Sequence, residues 1–477
     1  MTERPFGPLQ RRVRTMMYVV GLQVALIACS VPVREAPPRG LIEPVQAGAV
    51  DASVAWPQAR WWADWGSKEL ESLIDQALTQ SPNVGIAQAR AKQAQSAADA
   101  VAAGTSPRLS FNADVGATRY SEHSIYPRPI AGSTQVNASA QFAGSWELDL
   151  FGRQRASVQA ALGERNAARA DEQAARVLIA TQVAQHYVSL ARLGELLTLS
   201  EDAVRQRAAS LELVSQRVQA GLDTRVEQRQ AESVLAQART EQQRIREAVA
   251  RQRHALAEWS GQGPNALGDL LPPLFAVRGE GLPSSLPADL IGRRADLVAQ
   301  RLRVESTQAG VEAARAQFYP NVNLVAFAGL SSLGLDRFLD LGSRTYGVGP
   351  AVRLPIFDGG ALKANLAGRQ ADVELAIEAY NVTLLRALRE VADEVSSLQS
   401  IRLQRQSQAE ALAAAQAAYT LALQRYRAGL GNYLMVLTVE SDVIAQRTAQ
   451  TELKTRELMA EFGLVRALGG GYREEIR

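Results

Sequence analysis

Side chains that carry out most protein chemistry are scarce in this sequence. There is one cysteine, Cys29, and the three histidines, His123, His186 and His254, lie far apart. One cysteine can form neither an intramolecular disulfide nor a cysteine-based metal site, and the histidines lack the spacing of metal ligands. We therefore expect no metal site.

Glu147 and Asp149 are two carboxylates one strand step apart on the same face, an arrangement that an acid–base pair could use. Their companions on that face are merely polar: Asn137, Ser139, Gln141 and Ser145. A polar strand face explains this set better than a catalytic site does. Since no phosphate-binding loop or nucleophile–histidine arrangement stands out either, we expect a protein that is not an enzyme.

The N-terminus predicts a covalent lipid. Residues 1–15 contain four arginines, and residues 16–28 are almost wholly apolar, which is the length of a signal-peptide core and short for a bilayer span. The stretch ends in Leu26-Ile27-Ala28-Cys29, which resembles the bacterial lipobox, so we expect cleavage before Cys29 and its acylation. Ser30 in the next position implies the outer membrane. The alternative is an ordinary signal peptide followed by a chance cysteine.

The formal net charge of +3 does not indicate a nucleic-acid partner. The first 28 residues alone contribute +3, so the rest of the chain has equal numbers of basic and acidic residues. A basic patch for phosphate binding is therefore not supported, and we expect no nucleic acid as a partner.

The body of the chain consists of two similar halves offset by roughly 210 residues. Four stretches recur in the same order: 107–116 with 320–329, 146–152 with 352–358, 217–222 with 425–430, and 232–233 with 440–441. The predicted segments are a signal peptide at 1–28, an acylated tether at 29–55, a first repeat at 56–262, a linker at 263–293, a second repeat at 294–467 and a tail at 468–477.

Each repeat combines two strand-like segments with two long helical stretches. Apolar and polar residues alternate in the strand segments, although only weakly at 321–330. The helical stretches lack proline, and the longer ones carry apolar residues at heptad spacing. In the tight turns between paired helices, Gly221 and Gly429 end the first helix. The predicted strands are about 107–117, 135–150, 321–330 and 345–356, and the predicted helices are 153–219, 223–259, 360–427 and 432–466.

Four strands cannot close a barrel. For such strands taken singly a soluble sheet is the commoner explanation, but the lipid anchor favours a membrane. Open edges are not tolerated in lipid, and the smallest outer-membrane barrels have about eight strands. We therefore predict an α+β membrane protein in which a trimer forms a shared 12-stranded β-barrel and a periplasmic α-helical barrel.

Several motifs together resemble those of the TolC/NodT-type outer membrane factors, in the lipoprotein branch that serves tripartite efflux pumps. The resemblance covers about residues 56–470. It rests on Trp61-Trp62, 70–78, 146–155, 286–297, 314–320, 354–360 and the two glycine turns. As a set these motifs are very specific, although each one alone would be weak.

The resemblance implies a function and partners. It implies an outer-membrane duct, anchored by lipid and extending into the periplasm, through which drugs or other small toxic compounds leave the cell. It also implies a homotrimer, a periplasmic adaptor protein and an inner-membrane RND-type pump, with no cofactor beyond the lipid on Cys29. A protein-secretion duct of the same fold and a non-pore structural coiled-coil lipoprotein remain alternatives.

The resemblance also assigns residues in the two helix turns, which would form the periplasmic tip. The adaptor would dock at Arg217, Gly221, Arg425 and Gly429. Tyr426, Gly431 and Tyr433 would lie near the aperture, and we expect contacts around 425–433 to hold the duct closed. Many relatives have an acidic residue where this chain has Gly431, so the ring of carboxylates that would favour cations is not expected here.

Overall fold

The computed structural model describes residues 40–41, 57–123, 125–277 and 293–473. The predicted signal peptide, Cys29 and most of the predicted tether lie outside the described residues, as does much of the predicted linker. The lipid anchor therefore stays a prediction.

The elements occur in the same order twice. A helix α1 (Lys68–Gln80) comes first. The first series consists of α2 (Pro82–Ala103), β1 (Arg108–Arg119), β2 (Thr134–Leu148), α3 (Arg153–Gln219) and α4 (Arg225–Trp259). The second series consists of α5 (Ala295–Ala316), β3 (Asn321–Leu333), β4 (Arg344–Arg353), α6 (Ala361–Arg427) and α7 (Tyr433–Ala467). Corresponding helices have equal lengths of 22, 67 and 35 residues, so the duplication extends to the elements themselves.

The return helices α4 and α7 begin slightly later than predicted. The prediction started them at 223 and 432, whereas the structure starts them at Arg225 and Tyr433. The preceding residues, Thr224 and Asn432, have extended backbones, and their side chains accept hydrogen bonds from amides of the first turn. They are therefore capping residues, which lie just outside the helix.

The four strands form one antiparallel sheet in the order β1–β2–β3–β4. The register aligns apolar residues on one face: Phe111 lies opposite Phe142, Phe142 opposite Ala328, and Ala328 opposite Tyr346. Tyr346 is 82% exposed on this face. The alternation in the sequence therefore produces one apolar and one mostly polar face, each open to its surroundings in the single chain.

Two strands end before their predicted limits. β4 ends at Arg353, three residues early, because Pro355 has no amide hydrogen with which to extend the ladder. β2 ends at Leu148, two residues early, since the amide of Leu150 donates to the Leu148 carbonyl at 2.8 Å and turns the chain toward α3.

The carboxylates that a catalytic interpretation would need have separate structural roles. Asp149 accepts hydrogen bonds from the backbone amides of Gln154 and Arg155, both at 3.0 Å, at the start of α3. Glu147 instead accepts from the Arg153 guanidinium, whose Nε lies 3.0 Å from Oε1. Free amides and the helix dipole favour negative charge at a helix N-terminus. Both residues therefore fasten the end of β2 to the start of α3.

The chain divides into two compact units, and each contains parts of both predicted repeats. One unit includes Lys92–Ala167 and Arg301–Ala379 and contains the sheet. The other includes the described parts of Leu41–Ala91, Ala168–Gln300 and Tyr380–Arg477 and is helical. Because each unit contains parts of both repeats, the predicted repeats are divisions of the sequence and not compact units of the structure.

A group of aromatic side chains lies within the mostly aliphatic core of the helical unit. Trp61, Trp65 and Phe462 pack ring against ring, with 4.1 Å between the ring centroids of Trp65 and Phe462. The buried Tyr187 hydroxyl lies 2.7 Å from the Ser67 hydroxyl at the start of α1. Ring packing and burial of apolar area stabilise this junction of short and long helices.

No helix in the described part of the chain combines the length and the apolar character needed to cross a membrane.

Candidate functional site

The two turns singled out by the sequence have the same backbone conformation. Gly221 and Gly429 have φ angles of 71° and 74°, a region that suits glycine because a Cβ would be strained there. The amide after each glycine donates to the carbonyl of Arg217 or Arg425, at 2.9 and 2.8 Å respectively. Both turns are therefore Schellman motifs, which satisfy carbonyl groups left free at a helix end.

The caps that follow these turns differ. In the first turn, Thr224 and Glu227 form a capping box, in which the Thr224 amide donates to the Glu227 carboxylate at 2.9 Å. In the second turn, Asn432 acts without such a partner and accepts from the Met435 amide at 3.0 Å. The two turns therefore have the same backbone conformation and different capping side chains.

Side chains of the first turn reach the second repeat. Arg217 donates to both carboxylate oxygens of Asp223, at 2.9 and 3.3 Å, and the two side chains are only 13% and 12% exposed. The Tyr426 hydroxyl donates to Asp223 at 2.5 Å, and Arg217 donates to the Tyr426 carbonyl at 3.3 Å. The guanidinium also lies over the Tyr426 ring, 4.6 Å from its centroid. We call Arg217, Asp223 and Tyr426 the turn network.

The turn network favours an ionised Asp223 and a neutral Tyr426. Partial burial would raise the pKa of Asp223, but hydrogen bonds from Arg217 and Tyr426 outweigh it and lower the pKa below its ordinary value. Burial, followed by the hydrogen bond to the Asp223 carboxylate, raises the pKa of Tyr426 far above its ordinary value. At neutral pH the hydroxyl donor and the charged acceptor are therefore both present.

An apolar cluster lies next to the turn network. Tyr426 and Tyr433 are each 1% exposed, and their ring centroids are 5.9 Å apart. They pack with Val214 of α3, Ala231 of α4 and Val436 of α7. Burial raises the pKa of Tyr433 to about 12. The cluster therefore buries apolar surface from both helix pairs and holds them together.

A buried ion pair between Arg207 and Glu440 joins α3 to α7, seven or more residues from the turns. Glu440 of α7, whose side chain is 2% exposed, accepts a hydrogen bond from Arg207 of α3 at 3.4 Å. Arg207 also donates to the Val234 carbonyl of α4 at 3.2 Å. Burial raises the pKa of Glu440, and the nearby Arg207 only partly opposes this. No role was predicted for this pair, although Glu440 lies in one of the recurring stretches, 440–441.

The structure brings only some of the predicted site residues together. Arg217 and Tyr426 meet in the turn network, whereas Arg425 is exposed and its guanidinium lies 3.5 Å from the Leu430 carbonyl. Gly431 is exposed in the second turn, and Tyr433 is buried within the chain. Asp223 was not predicted as a partner of these residues. Its place directly after a glycine turn was the one available signal.

Comparisons with known proteins agree with one another. The family described as outer membrane efflux protein matches residues 73–262 and 286–470. The multidrug resistance outer membrane protein MdtP of Escherichia coli O6:H1 is 30% identical over 95% of this chain and 96% of its own. The pyoverdine export outer membrane protein OpmQ of Pseudomonas putida is 28% identical over 95% and 97%.

A solved structure has the same fold. The outer membrane protein VceC from Vibrio cholerae is 34% identical, matches 88% of this chain and 100% of its own, and superposes with a TM-score of 0.83. The predicted fold class and the predicted role as an outer-membrane exit duct are thereby confirmed. The chain belongs to the outer membrane efflux protein family, the TolC-type channels.

Proposed function

We propose that three copies of this chain form one duct through the outer membrane, which passes small molecules delivered by a periplasmic adaptor and an inner-membrane RND-type pump. The observation that carries the proposal is the sheet. Among the described residues, β1 and β4 each pair with a strand on one side only, so the single chain has two free edges. Lipid does not tolerate free edges, so edge must pair with edge between copies.

The distribution of side chains on the sheet supports the same arrangement. One face is apolar in every strand and strongly exposed in the single chain, as at Leu109, Val348 and Tyr346. The opposite face contains mostly polar and small residues. Three such sheets joined edge to edge would turn the apolar face to lipid and the polar face to a water-filled interior.

Names of the relatives favour small molecules over proteins as the exported material. MdtP is named for multidrug resistance and OpmQ for pyoverdine export. A protein-secretion duct of the same fold remains the second candidate. The compound itself would be selected by the pump and the adaptor.

The turn network would restrain opening of the duct. It joins the turn between α3 and α4 to the end of α6, so separating the two helix pairs at their turns breaks several charge-assisted contacts together. The adaptor would dock on these turns, at the exposed Gly221, Arg425 and Gly429 and at the largely covered Arg217. The aperture would lie near Tyr426, Gly431 and Tyr433.

The lipid on Cys29 completes the proposal. Acyl chains contribute about 0.8 kcal/mol for each buried methylene, and stable anchoring needs about two chains, which an acylated N-terminal cysteine supplies. The anchor would hold each chain at the outer membrane while three copies assemble.

The native mass of the complex extracted gently from outer membranes tests the proposal. We expect three chains that begin at Cys29, each with an acyl modification. A trimer without the lipid mass would remove the anchor and keep the duct. A monomer would leave too few strands for a barrel, and the non-pore structural interpretation would replace the duct. A dimer would supply about eight strands and would reject the trimer and its twelve-stranded barrel.

A further inference from the structure

Three large apolar side chains lie on the polar face of the sheet, all of them in β3: Val325 and Phe327 in the middle of the strand and Leu333 at its end. Val325 and Phe327 of β3 lie on this face, because their partners in β2 are Ser145 and Ala143 rather than residues of the apolar face. Both side chains are partly exposed, by 38% and 39%. We call these two residues the lumen patch.

Glycine in the neighbouring strand makes room for the ring of Phe327. Gly347 of β4 lies directly opposite Phe327, and a Cβ built there would be 2.7 Å from the Cε1 atom of the ring. Gly349 lies opposite Val325 in the same strand. The Phe327 ring therefore packs against a position of β4 that carries no side chain.

Uncharged residues surround Phe327 on its own face of the sheet. The positions beside it in the two neighbouring strands are Gln141, Ala143 and Ser145 in β2 and Thr345, Gly347 and Gly349 in β4. The nearest carboxylate along this face of β2, Glu147, is paired with Arg153. Glu147 lies opposite Asn323 and diagonal to Val325, so one ion pair borders the lumen patch beside Val325, and Phe327 lies on the uncharged side.

Position and size restrict what can cover the lumen patch. β3 is flanked on both sides by strands of its own chain, so the sheet of another copy cannot pair over it. A stable protein partner buries about 1,000 Å² or more, far beyond two side chains. A small molecule passing through the interior is the occupant that fits both limits.

We propose that Val325 and Phe327 form a weak contact site for the aromatic or apolar part of a compound in transit. The inference rests on the proposed trimeric duct, which turns this face inward. Three copies would place three such spots in one passage. Weak contact is what transport requires, because a compound must leave the site as readily as it enters.

Current block in planar bilayers tests the site with two cations of equal charge. Benzyltrimethylammonium carries an aromatic ring and tetramethylammonium does not. We expect the ring-bearing cation to interrupt the current of Asp223→Ala channels at about fivefold lower concentration, the size of a ring contact at an exposed site. Phe327→Ser should abolish this difference, and Phe327→Leu should reduce it.

Two further variants separate the contact from general damage to the barrel. Gly347→Ala should weaken the preference for the ring-bearing cation because its methyl group must displace the Phe327 ring. Ser331→Ala, on the same face of β3, should leave the preference unchanged. Conducting channels in which both cations block equally, or in which Phe327→Ser keeps the difference, overturn the lumen patch. Absence of conductance in every variant would reject the turn network as the restraint, and the cysteine labelling described next, which needs no conducting channel, would then decide the lumen patch.

Cysteine labelling tests the direction of the side chain independently. In trimers held in lipid nanodiscs, Phe327→Cys should react with a charged, water-soluble maleimide, and Phe111→Cys on the apolar face should not. The wild-type chain provides the background of Cys29. Labelling of Phe111→Cys without labelling of Phe327→Cys would reverse the two faces and overturn the inference.

Discussion

The turn between α3 and α4 and the turn between α6 and α7 have the same backbone and different side chains. Both contain a glycine with positive φ, both close with the same hydrogen bond, and both join a 67-residue helix to a 35-residue helix. Only the first turn has the carboxylate, Asp223, that binds across to the other repeat. The second repeat supplies Tyr426, whose hydroxyl donates to Asp223 and whose carbonyl accepts from Arg217.

This difference shows what duplication preserved and what it left free. Local geometry was kept, since a helix must end on a residue that tolerates positive φ if the chain is to turn back at once. Side chains at the turns could diverge, because one partner on each side is enough to form the turn network. The two turns should therefore respond equally to changes of the backbone and unequally to changes of the side chains.

Asp223→Ala should have the largest effect. Removing one partner of a largely buried ion pair costs about 3 kcal/mol, and it also removes the acceptor of the Tyr426 hydroxyl. We expect a clear increase in single-channel conductance of the trimer in planar bilayers. Asp202→Ala is the control, since the Asp202–Arg205 pair is exposed and contributes little. Conductance equal to that of the wild type would reject the turn network as a restraint.

Tyr426→Phe should also increase the single-channel conductance, by a smaller amount. It removes one hydrogen bond to a charged group, about 1.5 kcal/mol, and keeps the ring under the Arg217 guanidinium. Conductance should lie between those of the wild type and Asp223→Ala. Tyr433→Phe is a matched control, because the Tyr433 hydroxyl has no hydrogen-bond partner among the described residues. An equal increase in both variants would mean that the hydroxyl contact to Asp223 is not the restraint.

Gly221→Ala and Gly429→Ala should destabilise the chain equally. No atom lies within 4 Å of a Cβ at either position, so the cost is the conformational strain of about 1 kcal/mol for a left-handed residue. Thermal unfolding followed by circular dichroism should show matching decreases in Tm. Gly431→Ala, whose φ is not positive, should lower Tm less. Unequal decreases at 221 and 429 would show that the side chains, not the backbone, set the stability of each turn.

The effect of Asp223 should depend on pH only at the extremes. The lowered pKa of Asp223 means that its stabilisation is present above the ordinary value of 3.8 and is lost as pH falls through the lower folded value. The raised pKa of Tyr426 means that the donor persists past the ordinary value of 10.0 and is lost at still higher pH.

The conductance difference between wild type and Asp223→Ala is the quantity to measure, since other titrating groups affect both channels. It should be constant between about pH 5 and pH 9. A difference that changes within this range would assign the restraint to another group, such as Glu461, whose pKa burial raises to about 7.

Gly431→Asp should have the smallest effect on structure, and it should change the ion selectivity of the channel. A Cβ there would lie 3.5 Å from the nearest atom, the Tyr426 amide nitrogen, which is an ordinary contact. Three carboxylates at a constriction should increase cation preference, measured as a shift in reversal potential under a KCl gradient. Gly431→Asn controls for size. An unchanged reversal potential and conductance would place Gly431 away from the aperture.

The fold was largely predictable because its determinants are local and repeated. Absence of proline and heptad spacing predicted helices at 153–219 and 360–427, and the structure has Arg153–Gln219 and Ala361–Arg427. Ends of elements were less predictable, as at Thr224 and Pro355, since a cap or a missing amide shifts a boundary by a few residues without changing the periodic pattern.

The candidate site was predictable only in outline. Glycines identified the turns, and the resemblance directed attention to Arg217 and Tyr426. Nothing in the sequence joined Asp223 to Tyr426, which lies 203 residues away. The weak alternation of 321–330 concealed that Phe327 lies on the polar face, because only the pairing with β2 and β4 fixes the face to which a residue belongs.

The sequence by itself determined the lengths and types of the elements, the duplication and the family, because helix periodicity, strand alternation and glycine turns are properties of neighbouring residues. Tertiary structure alone decided the turn network, the Arg207–Glu440 pair and the surroundings of Phe327. These depend on which long helices and strands lie side by side, and the contacts that fix this act between residues far apart in the chain.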